Sequence, residues 1–187
     1  MAVLELPTGV APTTPLGCSP VWPPYGPAQQ TAAGRRAAAL ALASAGCGSR
    51  LVPREADGRP RFPPGFAGSI SHTASLAAAV VVPGAVAVGV DIEDADIDAR
   101  TAAFVCREEE RATLLPPVGG HTARELFAAK EAAFKALNDV GPPGGFPFWR
   151  VGLSPSESRL TASYREVSLP VWVSTREGLS FAVAIRR

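Results

Sequence analysis

Lysine is nearly missing from this chain. Among 187 residues there are 16 arginines and only two lysines, Lys130 and Lys135. Histidine is as scarce, with His72 and His121 alone. Basic excess is missing too: 18 basic residues face 17 acidic ones, for a net charge of +1. That balance excludes a broad nucleic-acid-binding surface. The three cysteines, Cys18, Cys47 and Cys106, are an odd number without metal-ligand spacing. A chain of this length buries enough core to fold without disulfides or a structural metal. The opening residues have no basic stretch and no long apolar run, so they do not read as a signal peptide. No run of about 18 uncharged apolar residues marks a membrane span. The expectation is a soluble, cytoplasmic protein.

What is present is alanine, proline and arginine. Alanine supplies 33 residues, so the hydrophobic fraction of 47% overstates the bulk of the core. Arginine fills nearly every cationic position, which makes the two lysines, five residues apart, look chosen. A compact ammonium differs from a planar guanidinium, and phosphate sites often use the point charge.

Seven prolines fall in the first 27 residues, so residues 1–28 read as an extended arm, packed through Val21, Trp22 and Tyr25. A helix is predicted from Gln29 to Ala45, stopped by Gly46. Residues 50–68, rich in Pro and Gly, read as a loop. Strands are predicted over Leu76–Val82 and Ala85–Glu93, joined by the Pro83-Gly84 turn as a hairpin. A helix between Ala99 and Leu115, interrupted near Cys106, follows an acidic loop. Thr122-Ala-Arg-Glu125 is a capping box for a helix running to Asn138, closed by the Pro/Gly stretch 141–145. The remainder reads as strands. Glu177–Ile185 echoes Ala74–Val82 about 103 residues earlier, which hints at a duplicated α+β unit. The division expected is 1–28 (arm), 29–93 and 94–187 (two similar α+β subdomains), with the active site between them.

Asp91 and Glu93 end an apolar strand, and residues two apart on a strand share a face. They form either half a site for a hard cation such as Mg²⁺ or a solvated acidic turn. On the following helix, at 100° per residue, Leu126, Leu137, Phe134 and Phe127 form one apolar arc. Lys130 lies inside it, at about 40° from Leu126; Glu131 borders it at about 140°, and Lys135 lies at about 180°. Glu131 and Lys135 could form an exposed i, i+4 salt bridge. Lys130 could not be buried without an anionic partner. An anion against this helix, bridged by a metal on Glu131, accounts for all three. His72 sits where a loop meets a strand and could be structural or functional; His121, beside glycines, reads as a loop residue.

Four segments together resemble the motifs of 4′-phosphopantetheinyl transferases, in order and spacing. They are Gly58-Arg-Pro60, Ser69-Ile-Ser-His-Thr73, Gly89-Val-Asp-Ile-Glu93 and Phe127-Ala-Ala-Lys-Glu-Ala-Ala-Phe-Lys135. The resemblance is to the monomeric type that activates surfactin and enterobactin synthetases. It implies an α+β fold of two similar subdomains related by a pseudo-twofold axis, with coenzyme A bound between them. It also implies transfer of phosphopantetheine from coenzyme A to a serine of an apo acyl or peptidyl carrier protein of polyketide or nonribosomal-peptide secondary metabolism, releasing 3′,5′-ADP. By that resemblance Asp91, Glu93 and Glu131 are the Mg²⁺ ligands (Mn²⁺ being a substitute), and Asp91, Glu131 and Lys135 are catalytic. Lys130 and Lys135 contact the pyrophosphate. Arg35, Gly58, Arg59, Ser71 and His72 bind coenzyme A, His72 near the 3′-phosphate. The chain departs from the pattern at Ala39, where relatives usually carry a second Arg. It also departs at Ala28-Gln-Gln30, where a basic cluster is common, and at Thr73, where Ser or Cys is commoner. A carrier docking face is expected along Arg100–Arg111 or in the loop Val140–Trp149, whose Phe146, Phe148 and Trp149 could instead fill the core. The alternatives are a non-catalytic coenzyme A or carrier-binding module, and a Mg²⁺-dependent phosphohydrolase.

Overall fold

The computed structural model describes residues 4–11, 13–141 and 146–187. Strand β1 (Leu16–Pro20) and helix α1 (Pro27–Ser44) come first, then β2 (Phe66–His72), β3 (Leu76–Pro83) and β4 (Ala87–Glu93). Helices α2 (Ala99–Val105), α3 (Glu108–Leu114) and α4 (Ala123–Leu137) follow. Strands β5 (Gly152–Ser156), β6 (Arg159–Tyr164), β7 (Val167–Arg176) and β8 (Leu179–Arg186) complete the chain. The strands form two antiparallel sheets, ordered β1-β3-β2 and β4-β8-β7-β6-β5. The class is mixed α and β, as expected. Part of the expected helix-closing stretch, residues 142–145, lies outside the described residues, as does Pro12 of the arm.

The expected hairpin does not form. β3 pairs with β1 and β2, whereas β4 pairs with β8 in the other sheet. The reason lies in the two apolar faces of each strand. Ala77, Ala79 and Val81 of β3 pack with Ala33, Ala37 and Ala41 of α1. Ala78, Val80 and Val82 pack instead with Val88, Val90 and Ile92 of β4 and with Phe181, Val183 and Ile185 of β8. The two strands therefore lie in stacked layers, and Pro83–Val86 is the corner between them. Gly84, at a φ of 71°, takes the left-handed conformation that this corner uses. β4 thus belongs with the C-terminal sheet and not with residues 29–83.

The arm is extended, and part of it is more than an arm: β1 is an edge strand of the first sheet. Val21 is buried, but Trp22 and Tyr25 are 58% and 53% exposed, contrary to expectation. Trp22 lies against the Arg36 guanidinium, 4.6 Å from its ring centroid, instead of entering the core.

Helices α1 and α4 meet their sheets through alanine. In α4, Ala128, Ala129, Ala132, Ala133 and Ala136 are buried, after the expected Thr122–Glu125 capping box. Small side chains let the backbones approach, and one glycine on each sheet completes the fit. A Cβ on Gly17 would lie 2.0 Å from the Ala37 carbonyl oxygen, and one on Gly89 would lie 1.7 Å from that of Ala132. Gly89→Ala is therefore expected to destabilise the protein by about 1–3 kcal/mol or more, since rigid backbone must move. Urea unfolding would check this; an unchanged midpoint would mean that α4 rides freely on β4.

Candidate active site

Strand alternation sets the site. With Val88, Val90 and Ile92 committed to the inter-sheet core, Gly89, Asp91 and Glu93 point to the opposite face, where α4 lies. Asp91 is 4% exposed. Its Oδ1 accepts from the Lys135 ammonium at 2.7 Å and from the Ser71 hydroxyl at 2.8 Å. Lys135 also donates to the Val90 carbonyl at 2.9 Å. The Ser69 hydroxyl accepts from Val90 N–H at 3.0 Å, so two serines of β2, two residues apart, brace β4 from the other sheet. The salt bridge of Lys135 runs to Asp91, on a different element, and not to Glu131 one helical turn away.

This arrangement is short of positive charge. Asp91 Oδ2 is buried with no hydrogen-bond partner, which is costly for a carboxylate oxygen. Burial, then the fields of Asp91, Asp94 and Glu131, push the Glu93 carboxyl up to about 7. Burial also raises Glu131, with Lys135 opposing and Asp91 adding to the rise. Among the described residues no three acidic, His or Cys side chains close up as a ready coordination cluster. The orphaned oxygen and the two raised carboxyls nevertheless fit a hard divalent cation, which takes oxygen ligands.

A cleft of about 760 Å³ opens beside this centre. It is lined by Gly58, Arg59 and Pro60, by Ser69 and Ile70 of β2, and by Phe134 and Lys135 of α4. Arg35 and His72 line a smaller neighbouring pocket that shares Gly58 and Pro60 with the cleft. Arg59 is turned to its own loop, its guanidinium on Asp57 at 2.5–2.6 Å. Ser71 is spent on Asp91. Thr73 is explained locally: its hydroxyl accepts from Ser75 N–H and Leu76 N–H, turning the chain into β3. His121 lies 3.5 Å from Glu125, in the α4 cap.

Lys130 is not brought to the cleft. Its side chain is fully buried, with Nζ 2.8–2.9 Å from both Glu110 carboxylate oxygens and 2.6 Å from the Val151 carbonyl. The anion that the apolar arc demanded is therefore a protein carboxylate and not a pyrophosphate. Burial pushes the Lys130 ammonium below its ordinary pKa, and Glu110 opposes that shift. Glu110 went unnoticed in the sequence because it is the last of three consecutive glutamates heading α3. Arg54, which lines both the cleft and the smaller pocket, was hidden among 16 arginines.

The aromatic loop divides. Phe146 is buried, stacked on Tyr164 at 3.7 Å and edge-on to Phe134. Phe148 packs on Phe127, while Trp149, 37% exposed, meets Phe104, 65% exposed.

Two comparisons bear on this architecture. Residues 29–82 match the family described as 4′-phosphopantetheinyl transferase N-terminal domain, and residues 87–184 match the 4′-phosphopantetheinyl transferase superfamily. The gap between the two matches falls at the Pro83–Val86 corner. No curated protein matches the chain.

Proposed function

The chain belongs to the 4′-phosphopantetheinyl transferase superfamily, which makes it a holo-carrier-protein synthase; from that premise we propose that coenzyme A is its donor and 3′,5′-ADP its leaving product. No helix among the described residues is long and apolar enough to cross a membrane. The observation that carries the reading is the orphaned Asp91 oxygen beside Lys135, whose own side chain lines a cleft walled by both sheet-and-helix units. We take these units as similar subdomains of a monomeric enzyme of the surfactin-synthetase-activating type. Each packs an Ala-rich helix on a glycine of a sheet strand, which supports that view.

Asp91, Glu93 and Glu131 would hold Mg²⁺, which when bound neutralises charge on phosphate oxygens. The chain's own groups do the rest. Lys135 presents a point charge to the pyrophosphate on the leaving side. The acceptor serine oxygen bonds to the β-phosphorus, and the bond from that phosphorus to the bridging oxygen breaks. The serine proton goes to Glu131, directly or through a water. The carrier would dock at the exposed Phe104–Trp149 pair, where Arg100 lies one turn before Phe104 on α2.

Intact-mass measurement of several apo carrier proteins after incubation with coenzyme A and Mg²⁺ tests the reading. The expected result is a gain of one phosphopantetheine group, with 3′,5′-ADP released in equal amount. Release of phosphopantetheine into solution without any carrier would favour a phosphohydrolase instead.

Lys135→Arg is expected to lower kcat on the order of 10–100-fold. The ammonium satisfies two acceptors, and a forked guanidinium displaces the charge by about an ångström. Normal turnover with a native unfolding midpoint would remove Lys135 from the reacting centre.

A further inference from the structure

We propose that Ser71 is a positioning residue that acts on the chemistry through Asp91, and not a contact of the donor. The proposal rests on the coenzyme A and Mg²⁺ reading above. It makes the first sheet, through β2, responsible for where the Asp91 carboxylate points.

Alternation along β2 separates two roles. Ser69 and Ser71 share one face, which meets β4, and they are 5% and 8% exposed. Ala67, on the same face, packs into the apolar layer between the sheets. Serines that continue an apolar face are costly unless their hydroxyls find partners. Both find them at successive residues of β4: Ser69 accepts from Val90 N–H, and Ser71 donates to Asp91 Oδ1. Ser71 lines neither the cleft nor the smaller pocket, although its chain neighbours Ile70 and His72 both line the latter.

The strand that carries Asp91 is the edge of its sheet, and an edge leaves backbone groups without a strand partner. At Val90 the N–H goes to the Ser69 hydroxyl and the carbonyl to the Lys135 ammonium. The backbone just before Asp91 is therefore held by β2 and by α4 together. The carboxylate is held the same way, with Ser71 of β2 at 2.8 Å and Lys135 of α4 at 2.7 Å on one oxygen. A carboxylate with both donors on Oδ1 cannot turn over without giving up both bonds. Oδ2 thereby stays unpartnered, the oxygen left for the cation. Without the Ser71 hydroxyl, Lys135 would be the one side-chain donor to Asp91 among the described residues, and the carboxylate would be free to follow it. Orienting a metal ligand from outside the coordination shell is what such a hydroxyl supplies.

Mn²⁺ titration of the full chain, read by the free ion's paramagnetic resonance signal, tests the assignment alongside steady-state kinetics. Ser71→Ala should bind Mn²⁺ about tenfold more weakly than wild type, as losing a group that supports a ligand does. Its transfer rate at limiting Mg²⁺ should fall by a similar factor, while its KM for coenzyme A at saturating Mg²⁺ should match wild type. Ser71→Cys, whose thiol is a weak donor, should lose Mn²⁺ affinity in the same direction and gives the reading if Ser71→Ala does not fold. Ser71→Thr, which keeps the hydroxyl, should bind Mn²⁺ as wild type does. A raised KM for coenzyme A with unchanged Mn²⁺ binding would overturn the proposal and make Ser71 a donor contact. Unchanged binding and kinetics in Ser71→Ala, or an equal loss of Mn²⁺ binding in Ser71→Thr, would overturn it as well, leaving the transferase reading intact. A wild-type chain that binds no Mn²⁺ and modifies no carrier would overturn the function itself.

Discussion

Asp91→Asn and Glu131→Gln are expected to lower phosphopantetheine transfer on the order of 100-fold or more, and Glu131→Gln to do so with an unfolding midpoint at or above wild type. Disrupting groups that merely support a metal ligand costs about 10–100-fold in metal affinity or activity, so removing a ligand charge should cost at least as much. The stability half of the prediction comes from burial. Asp91 keeps one carboxylate oxygen buried without a partner, and burial disfavours the ionised form of Glu131. Asp91 offsets that cost through Lys135 and Ser71, whereas the ionised Glu131 is held at a cost to the fold, as groups retained for chemistry often are. Titration with Mn²⁺, followed by the loss of its free-ion paramagnetic resonance signal, gives a readout independent of turnover. Wild type should bind one ion, and both variants should bind it at least tenfold more weakly. Native transfer rates in either variant, or unchanged Mn²⁺ binding, would take these carboxylates out of the metal site.

Much of this centre was legible before any coordinates, because it depends on local periodicity. Residues two apart on a strand share a face, so Asp91 and Glu93 had to point together. The Thr122–Glu125 box announced where α4 begins and thereby its phase, which placed Lys130 among apolar residues and Lys135 outside them. What periodicity cannot supply is the partner. Glu110 meets Lys130 from 20 residues away, and nothing in the run Glu108-Glu-Glu110 marks its third member as buried. The hairpin failed for a related reason. Pro83-Gly84 does signal a turn, but a strand apolar on both faces needs cover on both, and no local pattern says that the cover for β3 includes β4 itself. Arg54 was illegible because its distinction is relational: it lines both the cleft and the smaller pocket, while its loop neighbours Arg59 and Arg61 pair with Asp57 and Glu55. Trp149 and Phe146, three residues apart, part company because only Phe146 meets the gap between Phe134 and Tyr164.

Breaking the buried Lys130–Glu110 pair should produce a large loss of stability. Glu110 is 3% exposed and Lys130 fully buried. Besides the ammonium, the carboxylate accepts from Leu153 N–H and Arg107 N–H, each at 2.7 Å. Lys130 in turn donates to the Val151 carbonyl. One ion pair therefore ties α4 to the start of α3 and to the entry of β5. Lys130→Met removes the countercharge and strands a buried carboxylate, which costs about 3–5 kcal/mol when one partner of a buried pair is lost. Glu110→Gln strands the ammonium but keeps an acceptor for one of the two amides, so its cost should fall toward the lower end. In the double variant no uncompensated charge remains, and its loss should be smaller than the sum of the singles by about 1–3 kcal/mol. Urea unfolding of the four proteins closes the cycle; additive losses would show that the two charges do not depend on each other. The same set separates this role from contact with the donor. Under conditions where Lys130→Met remains folded, its KM for coenzyme A should match wild type, because the ammonium is buried on Glu110 of α3 and the Val151 carbonyl and does not line the cleft. A clear rise in that KM would return Lys130 to the pyrophosphate.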